Sequence, residues 1–254
     1  IFELPIDKLS MRLDRFICKS TNFTREEAKA AIRDGRVKIN GWYDCHEATQ
    51  VHENNVMTLD GEILQARASR YLMLHKPAGF VSSNVSGRYP SLFNNLIHDA
   101  NNLTQDEDNL DIQDIENLHI AGRLDADTTG LVLITDDGRW SFNVISPARE
   151  CEKVYRVNLR DPITEDAIKQ LVNGVLLRGR EELTLPAKLT VVNEKEVLLT
   201  ITEGKYHQVK RMFGAVRNKV VALHREKIGP LSLDVPLGQW RYLTAEEVAY
   251  FYDE

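Results

Sequence analysis

The residue types best suited to chemistry are concentrated in residues 122–131. This segment holds two acids, Asp125 and Asp127, and two hydroxyl side chains, Thr128 and Thr129, directly before a wholly apolar run. Such a loop can present a carboxylate at the edge of a rigid sheet, where it could act as a nucleophile or a base. The alternative is an ordinary turn in which Asp125 and Thr128 accept hydrogen bonds from backbone donors.

A second polar segment, residues 203–212, favours the catalytic interpretation of Asp125 over the ordinary turn. Its basic and hydrogen-bonding side chains are Lys205, His207, Gln208, Lys210 and Arg211. The segment is predicted to begin a helix after a strand, where a cation could meet the carboxylate of Asp125. A lysine in contact with a carboxylate in a cleft favours its ionised form. Together the two segments indicate a catalytic carboxylate.

Both segments need a sheet and helices to position them, and the hydrophobic pattern predicts these elements. Apolar runs predict strands at residues 71–74, 131–134, 154–157, 191–192 and 197–201. Helical patterns cover residues 165–172 and 206–216. We therefore expect an α+β fold for this part of the chain.

A smaller unit is predicted ahead of this sheet. Its first helix is indicated by the apolar residues Leu13, Phe16 and Ile17. Thr24, followed three residues later by Glu27, has the spacing of a capping box and predicts the start of a second helix. The unit is therefore expected to begin with two helices.

A strand and a linker are expected to follow these helices. Gly35 is predicted to end the second helix, residues 37–39 to form a strand, and Asn40-Gly41 to form a hairpin turn. Alternating charged and small residues at 65–70 indicate a linker.

The chain is thus expected to have three parts. They are a leader at residues 1–10, a first domain at 11–68 and a second domain at 69–254, the last with an acidic insertion near 99–117. The opening residues carry neither a basic region nor a long apolar stretch, and no apolar run is long enough to span a bilayer. We expect a cytoplasmic protein that does not bind membranes.

The distribution of charge indicates the class of partner. The net charge is −6, but residues 99–116 alone hold seven acids and no lysine or arginine. Residues 11–40 carry eight basic residues against four acids, and residues 203–227 carry seven against two. Two basic surfaces on an otherwise acidic chain favour nucleic acid as the partner.

No cofactor or metal is expected. The sequence has no glycine-rich phosphate loop, dinucleotide fingerprint or zinc-spaced cluster of histidines and cysteines. Its three cysteines are odd in number and widely spaced, which indicates neither a disulfide framework nor a zinc site.

Several motifs resemble the pseudouridine synthase superfamily, in particular the type that acts on small-subunit ribosomal RNA. The most specific is Gly-Arg-Leu-Asp at residues 122–125 with Thr-Thr-Gly-Leu at 128–131. Residues 74–79 are similar to the first motif of the family, which usually has Asn where His75 stands. Residues 12–16 and 24–41 resemble the alpha-L RNA-binding module. The resemblance implies this module followed by a catalytic domain whose mixed sheet is mainly antiparallel and flanked by helices.

The resemblance also implies roles for individual side chains. Asp125 corresponds to the nucleophilic aspartate, and Tyr155 to the tyrosine that stacks on the target base. Lys210 stands where the family has a cation paired with the aspartate, and Leu223 matches an apolar residue beneath the active site. The expected RNA-contacting residues are Arg12, Arg25, Lys29, Arg33 and Arg36 in the first domain and Arg123, Gln208, Arg211 and Arg225 in the second. For the first group a merely solvated face is the alternative.

The substrate implied by the resemblance is one uridine of 16S ribosomal RNA, uridine 516, in partly assembled small-subunit particles, modified by a monomeric enzyme. Two other readings stay open: a synthase for large-subunit RNA, and a non-catalytic RNA-binding assembly factor. A small-molecule hydrolase using Asp125 with His207 lacks an identifiable arrangement of base and nucleophile. Addition to the base, attack on the ribose, and a glycal route all require the same carboxylate.

Overall fold

The computed structural model describes residues 11–43, 45–52, 54–94, 115 and 117–252. The chain divides into two compact units, one ending at Ser69 and the other beginning at Arg70. The predicted leader, and the predicted acidic insertion apart from two of its residues, lie outside the described ranges. Within those ranges, no helix combines the length and the apolar character that crossing a membrane requires.

The first unit contains two helices and short strands. The helices are α1 (Leu13–Ser20) and α2 (Arg25–Arg33), and the strands are β1 (Met11–Arg12), β2 (Val37–Ile39), β3 (Gln50–Val51), β4 (Met57–Leu59) and β5 (Glu62–Ile63). The predicted capping box of α2 is confirmed, since Thr24 accepts from the backbone of Glu27 and the Glu27 carboxylate accepts from the backbone of Thr24. The apolar faces of both helices pack into one small core with Val37.

The predicted hairpin at Asn40-Gly41 is only partly correct. The turn is present, with both residues at positive φ, but among the described residues the pairing across it is limited to Ile39 and Trp42. The main partner of β2 is β4, and β4 then pairs with β5 in an antiparallel sheet. A tight turn fixes where the chain reverses, whereas the apolar face of β2 is buried by the later strand.

Among its described residues the second unit has nine strands, four α-helices whose bounds are fully described, and a short 3₁₀ segment. The strands are β6 (Tyr71–Lys76), β7 (His119–Ala121), β8 (Thr129–Thr135), β9 (Lys153–Leu159), β10 (Lys188–Asn193), β11 (Glu196–Ile201), β12 (Val220–Ile228), β13 (Leu231–Ser232) and β14 (Trp240–Tyr242). The helices are α3 (Gly138–Ile145), α4 (Glu165–Asn173), α5 (Gln208–Ala215) and α6 (Ala245–Ala249), and the 3₁₀ segment is Pro147–Arg149. The strands and helices predicted from the hydrophobic pattern are all confirmed.

These strands form one sheet in the order β10-β11-β9-β12-β8-β6-β14, with β13 paired to β12 and β7 to β8. Among the described strands, β12 and β8 form the single parallel pair. The expected mainly antiparallel mixed sheet is therefore confirmed. The parallel pair matters for function because it sets β12 beside the polar segment that precedes β8.

The close approach of β12 to β8 depends on Gly130. Its φ is +114°, and a Cβ at this position would lie 2.3 Å from the carbonyl oxygen of Arg225 on β12. A side chain there would force the two strands apart. The glycine of the Thr-Thr-Gly-Leu motif thus has a backbone function in the centre of the sheet.

Candidate active site

The polar segment predicted to do chemistry is the loop between β7 and β8. Its turn is closed by the backbone N–H of Thr128, which donates to the carbonyl of Asp125 at 3.1 Å. Gly79 N–H donates to the carbonyl of Ala126 at 2.7 Å, which ties the loop to the segment after β6. The Asp125 side chain stays 25% exposed. The loop therefore holds a carboxylate that solvent or a substrate can reach.

Lys210 contacts this carboxylate from the first turn of α5. Its Nζ lies 2.8 Å from Oδ2 of Asp125 and 2.6 Å from Oδ1 of Asp127. The other oxygen of Asp125, Oδ1, lies 3.3 Å from Nε2 of His207. Asp125 thus has a partner at each oxygen, and its orientation is set by two side chains from one segment.

The electrostatics of the group favour a charged lysine. Burial lowers the pKa of Lys210, but the hydrogen bonds and charges of Asp125 and Asp127 outweigh it, and the net shift is upward. Burial likewise raises the pKa of Asp127, but the bond and charge of Lys210 prevail and lower it overall. An ammonium group held between two carboxylates therefore favours the charged forms of Lys210 and Asp127.

His207 adopts an unusual backbone conformation at the start of α5. Its φ is +48°, in the left-handed region, and its side chain makes no capping hydrogen bond to the helix. A residue other than glycine in this region costs about 1–2 kcal/mol. The conformation directs the imidazole to Asp125 instead of to the free N–H groups of the helix.

Lys76, at the end of β6, binds the backbone of the loop between β7 and β8. Its side chain is fully buried, and Nζ donates to the carbonyls of Pro77, Ala126 and Thr128 at 3.0, 3.2 and 2.7 Å. Three donors of one ammonium group therefore meet three acceptors. Burial lowers the pKa of Lys76 to about 8, against the opposing charges of Asp127 and Asp125.

We expect the stability contributed by Lys76 to depend on pH. Because its pKa falls from 10.5 to about 8 on folding, the unfolded chain binds more protons between these values, and stability rises with pH there. Relative to a Lys76→Met variant, wild type should gain about 2 kcal/mol in free energy of unfolding from pH 7.5 to 9.5. Urea unfolding of both proteins at the two pH values measures this, and parallel pH dependence would contradict it.

Arg225 on β12 connects the loop to Tyr155 on β9. The residue is 2% exposed, and its guanidinium donates to the carbonyls of Leu131 and Gly122 at 2.8 and 2.6 Å. A third bond, 3.3 Å long, goes to the hydroxyl of Tyr155, the residue opposite Arg225 in the β12–β9 register. One side chain thus links the first residue of the Gly-Arg-Leu-Asp motif, strand β8 and the tyrosine.

Arg225, predicted from the sequence to contact RNA, is buried, and its guanidinium donates to three acceptors inside the protein. We expect Arg225→Met to lower the free energy of unfolding by about 3 kcal/mol or more, since it leaves buried acceptors unpaired. The exposed Arg123 offers a matched control, and Arg123→Met should stay within about 0.5 kcal/mol of wild type. Equal melting temperatures for the two variants would refute the internal role of Arg225.

Gln208 is also better explained by an internal role. It is buried, its Nε2 donates to Glu203 Oε1 at 2.6 Å, and its Oε1 accepts from the Lys205 backbone at 2.8 Å. Arg211 is partly exposed and donates to the carbonyls of Tyr206 and Arg178. These residues support the segment that carries His207 and Lys210.

The apolar candidate and the exposed arginine of the second unit lie in different surroundings. Leu223 is buried in the core cluster that also contains Tyr155. Arg123 is exposed and lies two residues before Asp125 in the loop. Arg123 is therefore placed where it could meet RNA, whereas Leu223 acts through packing.

In the first unit, most of the basic candidates have acidic partners. Arg12 and Arg25 both bond Asp14, which is buried; burial raises the pKa of this acid, but the two arginines outweigh it and lower the pKa overall. The remaining pairs are Lys29 with Glu26 and Arg36 with Asp60, and Arg33 is exposed. Arg12 and Arg25 therefore also stabilise α1, while their outer faces stay accessible.

Lys76 was assigned no function from the sequence, and for His207 an RNA contact and a hydrogen-bonding role at the end of the helix were both open. A lysine two residues after the apolar run 71–74 was the available signal for Lys76. His207 carried no comparable signal, since its contact with Asp125 depends on a left-handed backbone. Among the described residues, no group of three His, Cys, Asp or Glu side chains is arranged to hold a metal ion.

Comparisons with known proteins agree with this geometry. Residues 70–215 match the family model described as RNA pseudouridylate synthase, and residues 11–41 match the S4 domain model, where the alpha-L module was expected. A solved structure described as a crystal structure of pseudouridylate synthase superposes with a TM-score of 0.66 at 43% identity, covering 95% of this chain and 99% of the other.

Two curated relatives carry the same name, ribosomal small subunit pseudouridine synthase A. The protein from Vibrio cholerae is 49% identical over 241 residues, covering 94% of this chain and 98% of the relative. The protein from Escherichia coli K12 is 43% identical over 242 residues, covering 94% and 99%. With a family model matched over more than half of its length and relatives this similar over nearly all of it, the chain belongs to the RNA pseudouridylate synthase family.

Proposed function

We propose that this enzyme converts a uridine of small-subunit ribosomal RNA to pseudouridine, with Asp125 as the reacting carboxylate. The observation that carries the proposal is the Asp125 side chain, partly exposed on a braced loop, with Lys210 at 2.8 Å on one oxygen and His207 at 3.3 Å on the other. The names of the relatives support the choice of small-subunit RNA.

The reaction breaks the bond from the ribose to the ring nitrogen and remakes it to a ring carbon. It requires a carboxylate that can act as nucleophile or base, and Asp125 supplies it. Lys210 donates a hydrogen bond to this carboxylate and fixes its direction. The target base must leave its stack, and an aromatic ring offsets part of that cost. We assign this role to Tyr155, which Arg225 connects to the start of the loop.

For the target we propose uridine 516 of 16S RNA, in partly assembled small-subunit particles in the cytoplasm. The residues that support a small-subunit target are Thr128-Thr129-Gly130 and Lys205-Tyr206-His207-Gln208, which resemble the small-subunit type. We further propose that residues 11–68 form the RNA-binding domain and residues 69–254 the catalytic domain. A second contact surface on one chain raises the effective concentration at a structured RNA.

The test is to incubate the purified protein with separated small- and large-subunit RNA, free and protein-bound, and to map every pseudouridine formed. One new pseudouridine at position 516 of the small-subunit RNA is the expected result. Modification confined to large-subunit RNA would move the target while keeping Asp125 as the reacting group. Tight RNA binding without any pseudouridine would favour a non-catalytic assembly factor.

Removing residues 1–68 should weaken RNA binding but spare the chemical step. Each unit has a hydrophobic core of its own, and the contacts proposed for the first unit are to phosphates. We expect the shortened protein to keep its single-turnover rate at saturating RNA and to show a smaller dependence of affinity on salt, because fewer counterions are released. Titrations of both proteins with RNA at two salt concentrations measure the affinity and its salt dependence. An RNA affinity unchanged by the deletion would mean that the first unit does not bind this RNA.

A further inference from the structure

Tyr206 is an exposed aromatic residue that the proposed reaction does not use. Its side chain is 71% exposed, and one face of its ring stacks on His207, with ring centroids 3.8 Å apart and planes 19° apart. His207 in turn contacts Asp125 through Nε2. In this stacked pair, the His207 ring contacts the reacting carboxylate and the Tyr206 ring is exposed to solvent.

The segment that carries this pair is held in place on both sides. The backbone N–H of Lys205 donates to the buried Gln208 side chain at 2.8 Å, and the carbonyl of Tyr206 accepts from Arg211 at 3.2 Å. His207 itself is in the left-handed conformation. A tyrosine presented on a braced and strained backbone, with one face free, loses little freedom when a ligand stacks on it.

Nucleic-acid bases are the ligands that suit such a surface. Proteins that bind single strands combine basic side chains with exposed aromatic rings, and every base has a face that can stack. Both features occur here, because Arg123 is exposed on the loop that carries Asp125 and the partly exposed Arg211 donates to the carbonyl of Tyr206. The target base itself must reach Asp125, and the imidazole separates Tyr206 from that carboxylate.

We propose that Tyr206, supported by His207, forms a stacking subsite for the base of a nucleotide adjacent to the target uridine. The inference rests on the proposed RNA substrate and extends it. Flipping a uridine removes a stacking partner from each neighbour, and the Tyr206 ring replaces one of them. The subsite adds binding energy next to the reacting position without taking part in the chemistry.

The test compares Tyr206→Ala, Tyr206→Phe and wild type on small-subunit ribosomal RNA, with KM and kcat measured separately. Tyr206→Ala should raise KM roughly 5- to 100-fold and leave kcat nearly unchanged, whereas Tyr206→Phe should behave as wild type. Tyr250, also exposed and with its ring against Phe251, provides the control, and Tyr250→Ala should leave KM unchanged. A fall in kcat alone, or equal KM for Tyr206→Ala and wild type, would overturn the subsite.

A second arm uses RNA with one abasic residue on either side of the modified uridine. An abasic residue on one of the two sides should raise the KM of wild type as much as the Tyr206→Ala substitution does. Combining that RNA with Tyr206→Ala should raise KM no further than either change alone. Additive losses on both sides would reject the stack. If wild type formed no pseudouridine, the proposed function would be rejected instead. The subsite would then be tested by comparing the RNA affinities of wild type and Tyr206→Ala.

Discussion

Asp125→Asn is expected to abolish pseudouridine formation while RNA binding stays close to wild type. The substitution preserves the shape of the side chain and its exposure on the loop, but removes the negative charge and the nucleophilic oxygen. Loss of the reacting group in a site of this kind costs on the order of 10⁴-fold or more in rate. Single-turnover assays with saturating RNA measure the chemical step, and titration with the same RNA measures affinity.

Asp127 offers the matched control for this experiment. It bonds the same lysine at 2.6 Å, but its side chain is 75% exposed. Asp127→Asn therefore removes a charge from Lys210 without removing the proposed nucleophile, and we expect the rate to fall by about tenfold or less. If Asp125→Asn kept activity within tenfold of wild type, or if Asp127→Asn were the more damaging change, the nucleophile would have to be reassigned.

The second large effect is expected for Lys210→Met. Removal of the Lys210 ammonium group leaves the partly buried Asp125 without its strongest partner. The carboxylate therefore loses its counter-charge and the contact that orients it. Charged groups that hold a reacting atom are typically worth on the order of 10²- to 10³-fold in rate. We expect such a loss in single-turnover rate, with a smaller change in RNA affinity.

Two further variants separate the charge of Lys210 from general effects on the helix. Lys210→Arg keeps the charge and should recover part of the rate lost in Lys210→Met, though not all, because the planar guanidinium has a different bonding geometry. Lys205→Met removes a neighbouring lysine that pairs with Glu203 and should change the rate little. A Lys210→Met enzyme with normal turnover, or an equal effect of Lys205→Met, would show that the ion pair with Asp125 is not needed.

Much of the local structure follows from the sequence because it depends on neighbouring residues. The capping box at Thr24 and Glu27 is an interaction over three positions, and the strand Thr129–Thr135 contains the continuous apolar run 131–134. The polar segment before that strand could be recognised for the same reason. The basic character of the segment around Lys210 also indicated where a cation would meet Asp125, and the two groups are in contact.

The tertiary structure decided which polar side chains face the site and which form their hydrogen bonds inside the protein. Arg225 looks like any other basic residue in its segment, yet the parallel pairing of β12 with β8 buries it against Leu131, Gly122 and Tyr155. Lys76 is likewise bound by residues that neighbour it only after folding, Ala126 and Thr128. Burial and hydrogen bonding of a side chain depend on strand order and register, which bring together residues far apart in the chain, so residue type alone cannot distinguish an internal clamp from an RNA contact.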